Sequence, residues 1–124
     1  MVKKIWLFLL IVFLSVNTLL LNSCKNNNVI RYELVEYYSK NETINKVDIY
    51  DYYYVEFYEK YDEYHLSWKR NDNGKSNDAY GNYRETENQY IVNANGMTFN
   101  YTKINDDKIK LEMFTNKFIL KKAK

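Results

Sequence analysis

The sequence predicts an all-β domain of about eight antiparallel strands, run as a meander and closed into a small barrel. Three observations carry this. Beyond residue 28 there is no proline and there are only three glycines, while tyrosine, of which the chain holds 14, joins many Val, Ile, Phe and Thr residues. Such side chains suit pleated, half-buried strands. Apolar residues then recur with a period of two, and Asn, Asp and Gly clusters that tolerate positive φ break the pattern at short intervals.

The first strand is placed at 29–38, where Ile30, Tyr32 and Leu34 alternate with Arg31 and Glu33. The second runs over 45–58, with Val47, Ile49, Tyr53, Val55 and Phe57 on one parity. A short helix at 39–46 is an alternative for the segment between them. The third, 62–70, alternates Tyr64, Leu66 and Trp68 with His65, Ser67 and Lys69, and is followed by a polar loop from Asn71 to Gly81 around Asn73-Gly74. Strands at 79–85, 88–93, 97–104, 107–114 and 117–122 complete the set. Their turns are read at Asn93-Ala94-Asn95-Gly96, Asn105-Asp106-Asp107 and Thr115-Asn116. A meander with one apolar face hides its edges best by closing on itself.

The first 23 residues read differently. Lys3 and Lys4 precede an apolar run from Ile5 to Leu14, the order of a secretory signal helix. A second apolar patch, Leu19 to Leu21, leads to Leu21-Asn22-Ser23-Cys24. That tetrapeptide resembles the lipobox of bacterial lipoproteins, with an aliphatic residue three before the cysteine and a small one directly before it. The resemblance implies diacylglycerol on the Cys24 sulfur, cleavage before Cys24, and acyl chains such as palmitate holding the mature chain on a membrane of the bacterial cell envelope. An uncleaved anchor over residues 5 to 21 is the alternative. As a helix it covers roughly 25 Å, short of a hydrocarbon core of ~30 Å.

The expected organisation is therefore a signal peptide (1–23), a lipidated cysteine and polar tether (24–28), and one β domain (29–124). Cleavage leaves 101 of the 124 residues, and the 18 basic residues become 16 against 16 acidic ones as Lys3 and Lys4 depart. A side-chain charge of zero gives no reason to expect a nucleic-acid partner. With Cys24 acylated no thiol remains for a disulfide or a metal. The tether Lys25-Asn26-Asn27-Asn28 reaches about 10 to 15 Å at full extension, which keeps the domain close to the membrane surface.

The C-terminal half, in turn, resembles the lipocalin-like domains of bacterial lipoproteins. The carrying residues are Gly81-Asn82-Tyr83, Tyr90-Ile91-Val92 before Asn95-Gly96, the run from Asn105 to Glu112, and the closing Phe118-Ile119-Leu120-Lys121-Lys122. The first strand departs from lipocalins, reading Arg31-Tyr32-Glu33-Leu34 where they usually carry Gly-x-Trp. The resemblance implies a small antiparallel barrel that holds an apolar ligand or is filled by its own side chains. In the first case Tyr32, Leu34, Val55, Phe57, Leu66 and Trp68 are the expected lining.

A second function class is an envelope interaction or inhibitor module. Tyr50, Tyr52, Tyr54 and Tyr58 fall on the parity opposite Val55 and Phe57, so a row of phenols is expected on the outer face, where rings give large contact area at small entropic cost. Cross-strand pairing on a barrel exterior explains the same row without a partner. Catalysis is not expected. His65 is the chain's one histidine, on the polar parity of its strand, with no activating partner in the pattern. Glu56, Glu59, Asp62 and Glu63 follow no calcium-loop spacing and read as a solvated turn. Phosphate loops and a nucleophile elbow are absent. No cofactor or metal is expected, and a monomer is.

Overall fold

A computed structural model describes residues 28–124, so the signal segment and Cys24 lie outside the described residues. Eight strands, β1 (Val29–Tyr38), β2 (Tyr50–Tyr58), β3 (Glu63–Arg70), β4 (Ser76–Glu85), β5 (Gln89–Ala94), β6 (Met97–Lys103), β7 (Lys108–Met113) and β8 (Asn116–Lys122), pair in chain order. β1 also pairs antiparallel with β8, which closes the barrel. Closure pairs every strand on both sides for at least part of its length, and it explains why so short a domain can use strands rich in tyrosine without a covering layer.

Turn chemistry sets the register. Asn95 and Gly96 both take positive φ, 53° and 74°, as a two-residue hairpin between Ala94 and Met97 requires. Asn105 accepts from the backbone N–H groups of Asp107 and Lys108 at 3.0 and 2.9 Å and so folds the β6–β7 loop. Gly81 is fixed by a close approach: a Cβ there would lie 2.2 Å from the Asn93 carbonyl oxygen and 2.7 Å from the Ala94 Cβ. No larger residue fits that crossing without moving β5.

Several boundaries differ from the alternation pattern. β4 begins at Ser76, so Asn71 to Lys75 alone form the loop and Gly81 sits mid-strand. Hydrogen bonding across the ladder extends a strand into residues that are polar because that part of the wall is wet. Between β1 and β2 there is neither a strand from 45 nor a helix at 39–46; a single 3-10 turn, Val47–Ile49, precedes β2. Asn45 organises this connection. Its amide oxygen accepts from the N–H groups of Tyr37 and Val47, both at 3.0 Å, and its amide nitrogen donates to the Val35 carbonyl. The β7–β8 turn falls at Phe114-Thr115, one residue earlier than Thr115-Asn116.

Bulges account for the largest departure from simple parity. The register shifts between Leu34 and Glu36 on β1 and between Tyr50 and Tyr52 on β2. An extra residue in a strand reverses the face on which the following side chains project. Tyr37 and Tyr50 accordingly point into the barrel, and their rings meet edge to face at 5.5 Å.

The core fills one half of the barrel. Phe57 is fully buried and lies at its centre, stacked on Tyr90 at 4.1 Å and packed against Tyr32, Tyr64, Tyr83 and Tyr101. Val55, Val92, Ile109, Leu111 and Leu120 complete the plug. The buried phenols pair their hydroxyls, Tyr32 with Tyr90 at 3.1 Å and Tyr64 with Tyr101 at 2.6 Å, so rings can fill the interior without stranding those polar tips.

Candidate functional site

The two ends of the barrel are unlike. At the end where the chain enters, Asn28 accepts from the Glu59 N–H at 3.0 Å, and the turns at 59–62, 86–88 and 104–107 cover the aromatic plug. At the opposite end, ringed by the 39–49 and 71–75 loops and the turns at Asn95-Gly96 and Phe114-Thr115, a cavity of about 310 Å3 opens inside the wall. Its floor is Tyr64, Tyr101 and Leu111. Its sides are Tyr50, Tyr53, Leu66 and Trp68 on β2 and β3, Ala79 on β4, Phe99 on β6, and Met113 and Phe118 on β7 and β8. Asn77, Asn95 and Met97 stand at the rim. The volume falls within the range of small-molecule sites, roughly 300 to 1,000 Å3, and an eight-stranded barrel is about wide enough for one small ligand.

No charged side chain lines this cavity. By contrast, hollows on the outside of about 460 and 500 Å3 include Glu42, Lys110, Glu112 and Lys117 in their walls. The polar groups inside are phenols and amides. Burial, then the neighbouring Tyr37, pushes the Tyr50 hydroxyl up to about 12, and burial holds Tyr53 and Tyr101 well above the ordinary tyrosine value. All are neutral hydroxyls at physiological pH.

One seam of the wall is open on this side. β6 and β7 share three register pairs, Tyr101↔Leu111, Thr102↔Lys110 and Lys103↔Ile109, against six between β5 and β6. Among the described residues the pairing stops there, so Met97–Asn100 and Glu112–Met113 splay apart toward the mouth. Met97, Phe99 and Met113 face both the inner cavity and the outer groove. Two of the three are methionines, whose unbranched thioethers can rotate aside at little cost.

The six residues expected as lining divide between the two halves. Leu66 and Trp68 face the cavity. Tyr32, Val55 and Phe57 are sealed in the plug, each at most 3 % exposed, and Leu34 packs against the core beside a shallow outer hollow. Parity shows which side chains point inward, but not at which height the plug ends. Met97, Phe99, Leu111, Met113 and Phe118, on the inward parity of the last three strands, are the lining residues that this parity alone could have supplied.

The outer tyrosine row is shorter than its spacing implies. Tyr50 is a correction: the bulge at Asp51 turns it inward against Tyr53 and Trp68. Tyr52 is exposed, Tyr54 lies under the Arg31 guanidinium at 3.7 Å, and Tyr58 packs edge-on to His65. His65 in turn meets the Tyr80 ring at 3.9 Å in a tilted cross-strand contact on the exterior. Among the described residues no three His, Cys, Asp or Glu side chains converge as a metal site would need, and Glu56, Glu59, Asp62 and Glu63 form no such group.

No family model and no curated protein matches the chain. Among solved structures, an uncharacterized protein from Bacteroides eggerthii DSM 20697 is similar in fold. It is 15% identical with a TM-score of 0.50, and the match covers 75% of this chain and 97% of that one. At that identity the likeness is one of fold alone: an all-β barrel of eight antiparallel strands.

Proposed function

We propose that this chain is a non-catalytic, lipid-anchored protein of a bacterial envelope, whose barrel takes one small apolar molecule into its mouth. The observation that carries the binding half is the cavity of about 310 Å3, lined without a charge, at the end of the barrel opposite Asn28. The Leu21-Asn22-Ser23-Cys24 motif supports the anchoring half. With the tether leaving beside Glu59, the mouth faces away from the membrane that holds the lipid. Entry runs through the mouth or the splayed β6–β7 seam, where Met97 and Met113 yield. The partner-face reading draws less support, because Tyr50 is turned inward and Tyr54 and Tyr58 are already packed on Arg31 and His65.

Two halves call for two readouts on one preparation from expressing bacteria. Mass analysis of the N-terminal peptide is expected to show residues 1–23 removed and Cys24 carrying diacylglycerol; an intact N-terminus with a free thiol refutes the anchor. Aminoanthracene added to the chain in lipid nanodiscs is expected to bind and brighten, and Ala79→Phe, which fills the cavity from β4, is expected to weaken that binding at least tenfold while leaving the lipid on Cys24. Equal binding by the variant refutes the cup.

A further inference from the structure

Of the phenols around the cavity, Tyr53 is the buried one whose hydroxyl has no hydrogen-bond partner among the described residues. Tyr64 and Tyr101 hydrogen-bond each other at 2.6 Å, and Tyr50, only half-buried, meets Tyr37 ring to ring. The Tyr53 hydroxyl makes no hydrogen bond to any described residue, although the residue is only 8 % exposed. Its ring cannot swing to find one. Phe118 stacks on it at 5.3 Å and Tyr50 meets it edge-on at 5.2 Å, with Trp68 opposite on β3. The oxygen is not among the sealed polar atoms, and the residue is part of the cavity wall, so the free hydroxyl opens on the hollow. Burial keeps it protonated, and hence a donor.

A hydroxyl that a guest covers without hydrogen-bonding to it becomes costly, so the site favours the guest that completes it over an isostere that does not. The rest of the lining sets the other requirements. Without a charged group to pair with, an ionic guest would lose its hydration uncompensated. Trp68, Phe99 and Phe118 offer ring faces and edges to a flat molecule.

Building on the cup reading above, we propose that the ligand is a neutral, ring-bearing apolar molecule with one carbonyl or ether oxygen, and that Tyr53 Oη donates to that oxygen and sets the preference for it. Tyr53 is thus a specificity-determining residue. The hydroxyl selects the acceptor, and the surrounding rings hold the apolar body.

The test uses the full chain in lipid nanodiscs, equilibrium dialysis against empty nanodiscs, and three probes of one skeleton: acetylnaphthalene, isopropylnaphthalene and naphthoate. The wild-type chain is expected to prefer the acetyl compound over the isopropyl compound by about tenfold, the value of one hydrogen bond of ~1.4 kcal/mol. It is expected to hold naphthoate at least tenfold more weakly than the ketone. Tyr53→Phe, which keeps the ring, is expected to bring the first two probes to within about twofold of each other while retaining the isopropyl affinity, a result that also shows the variant folded. Equal binding of ketone and alkane by the wild type, a preference that survives in Tyr53→Phe, or tighter binding of naphthoate each overturns the assignment of Tyr53 while leaving the cup intact. Failure of the wild type to hold any of the three overturns the cup reading, and this assignment with it.

Discussion

Between about pH 11 and 13 the barrel is expected to unfold in one cooperative step. The cause is the number of phenols in its interior. Burial raises Tyr53, Tyr64, Tyr90 and Tyr101 well above the ordinary tyrosine value of about 10, and pushes Tyr50 and Tyr83 up to about 12. The stability these groups contribute is fully present below about pH 10, where both states are protonated. Above it the unfolded chain sheds protons that the folded barrel retains, so stability falls as pH rises. Each such group contributes a slope of about 1.4 kcal/mol per pH unit, and four acting together outrun a typical stability of 5 to 15 kcal/mol within roughly one to three units. Far-ultraviolet circular dichroism and tyrosinate absorbance, followed together against pH, check this. Coincident loss of β signal and rise of tyrosinate is expected. Gradual ionisation of all tyrosines around pH 10 in an intact barrel would contradict it.

Replacing Phe57 with alanine is expected to cost about 3 to 5 kcal/mol, a third or more of the stability of a typical small domain. Phe57 is 0 % exposed and touches five other rings, from β1, β3, β4, β5 and β6. With Phe57 itself on β2, one ring joins six of the eight strands of the circumference. The surrounding tyrosines cannot collapse into the gap without breaking the Tyr32–Tyr90 and Tyr64–Tyr101 hydroxyl pairs. Deletion of the ring thus leaves both a cavity and misplaced polar groups. Urea denaturation gives the number directly. A loss under about 1 kcal/mol would show that the plug repacks and that the interior is not the rigid floor to the cavity described above.

How far this fold could be read from its residues depends on how local the information is. The Asn95-Gly96 hairpin was legible because a two-residue turn needs positive φ at both positions, and this dipeptide supplies it. Alternation in Tyr64, Leu66 and Trp68, or in Ile109, Leu111 and Met113, was legible because side-chain direction follows from strand geometry alone. Tyr50 was misassigned for the converse reason: a bulge is decided by pairing with a distant strand, and nothing at Asp51 announces it. The polar start of β4 was missed because Ser76, Asn77 and Asp78 join the sheet by backbone bonds to β3, which side-chain character does not encode.

The site was legible only in part, and for a related reason. Inward parity names both the plug and the cavity wall, since Phe57 and Trp68 look alike in the pattern. What separates them is height along the barrel axis, set by strand tilt and by which end carries bulky rings. Nor could spacing reveal the unpaired Tyr53 hydroxyl, because which phenols meet, as Tyr64 meets Tyr101, is decided by strands far apart in the chain.

The most direct measurement is nuclear magnetic resonance of the full chain in nanodiscs, with labelled methionine methyls and tryptophan indoles, as acetylnaphthalene is added. The expected result is a saturable shift of the Trp68 indole and the Met97 and Met113 methyls, abolished by Ala79→Phe. Unmoved signals at all three positions, or shifts that persist unchanged in that variant, would contradict a ligand held inside the mouth of the barrel.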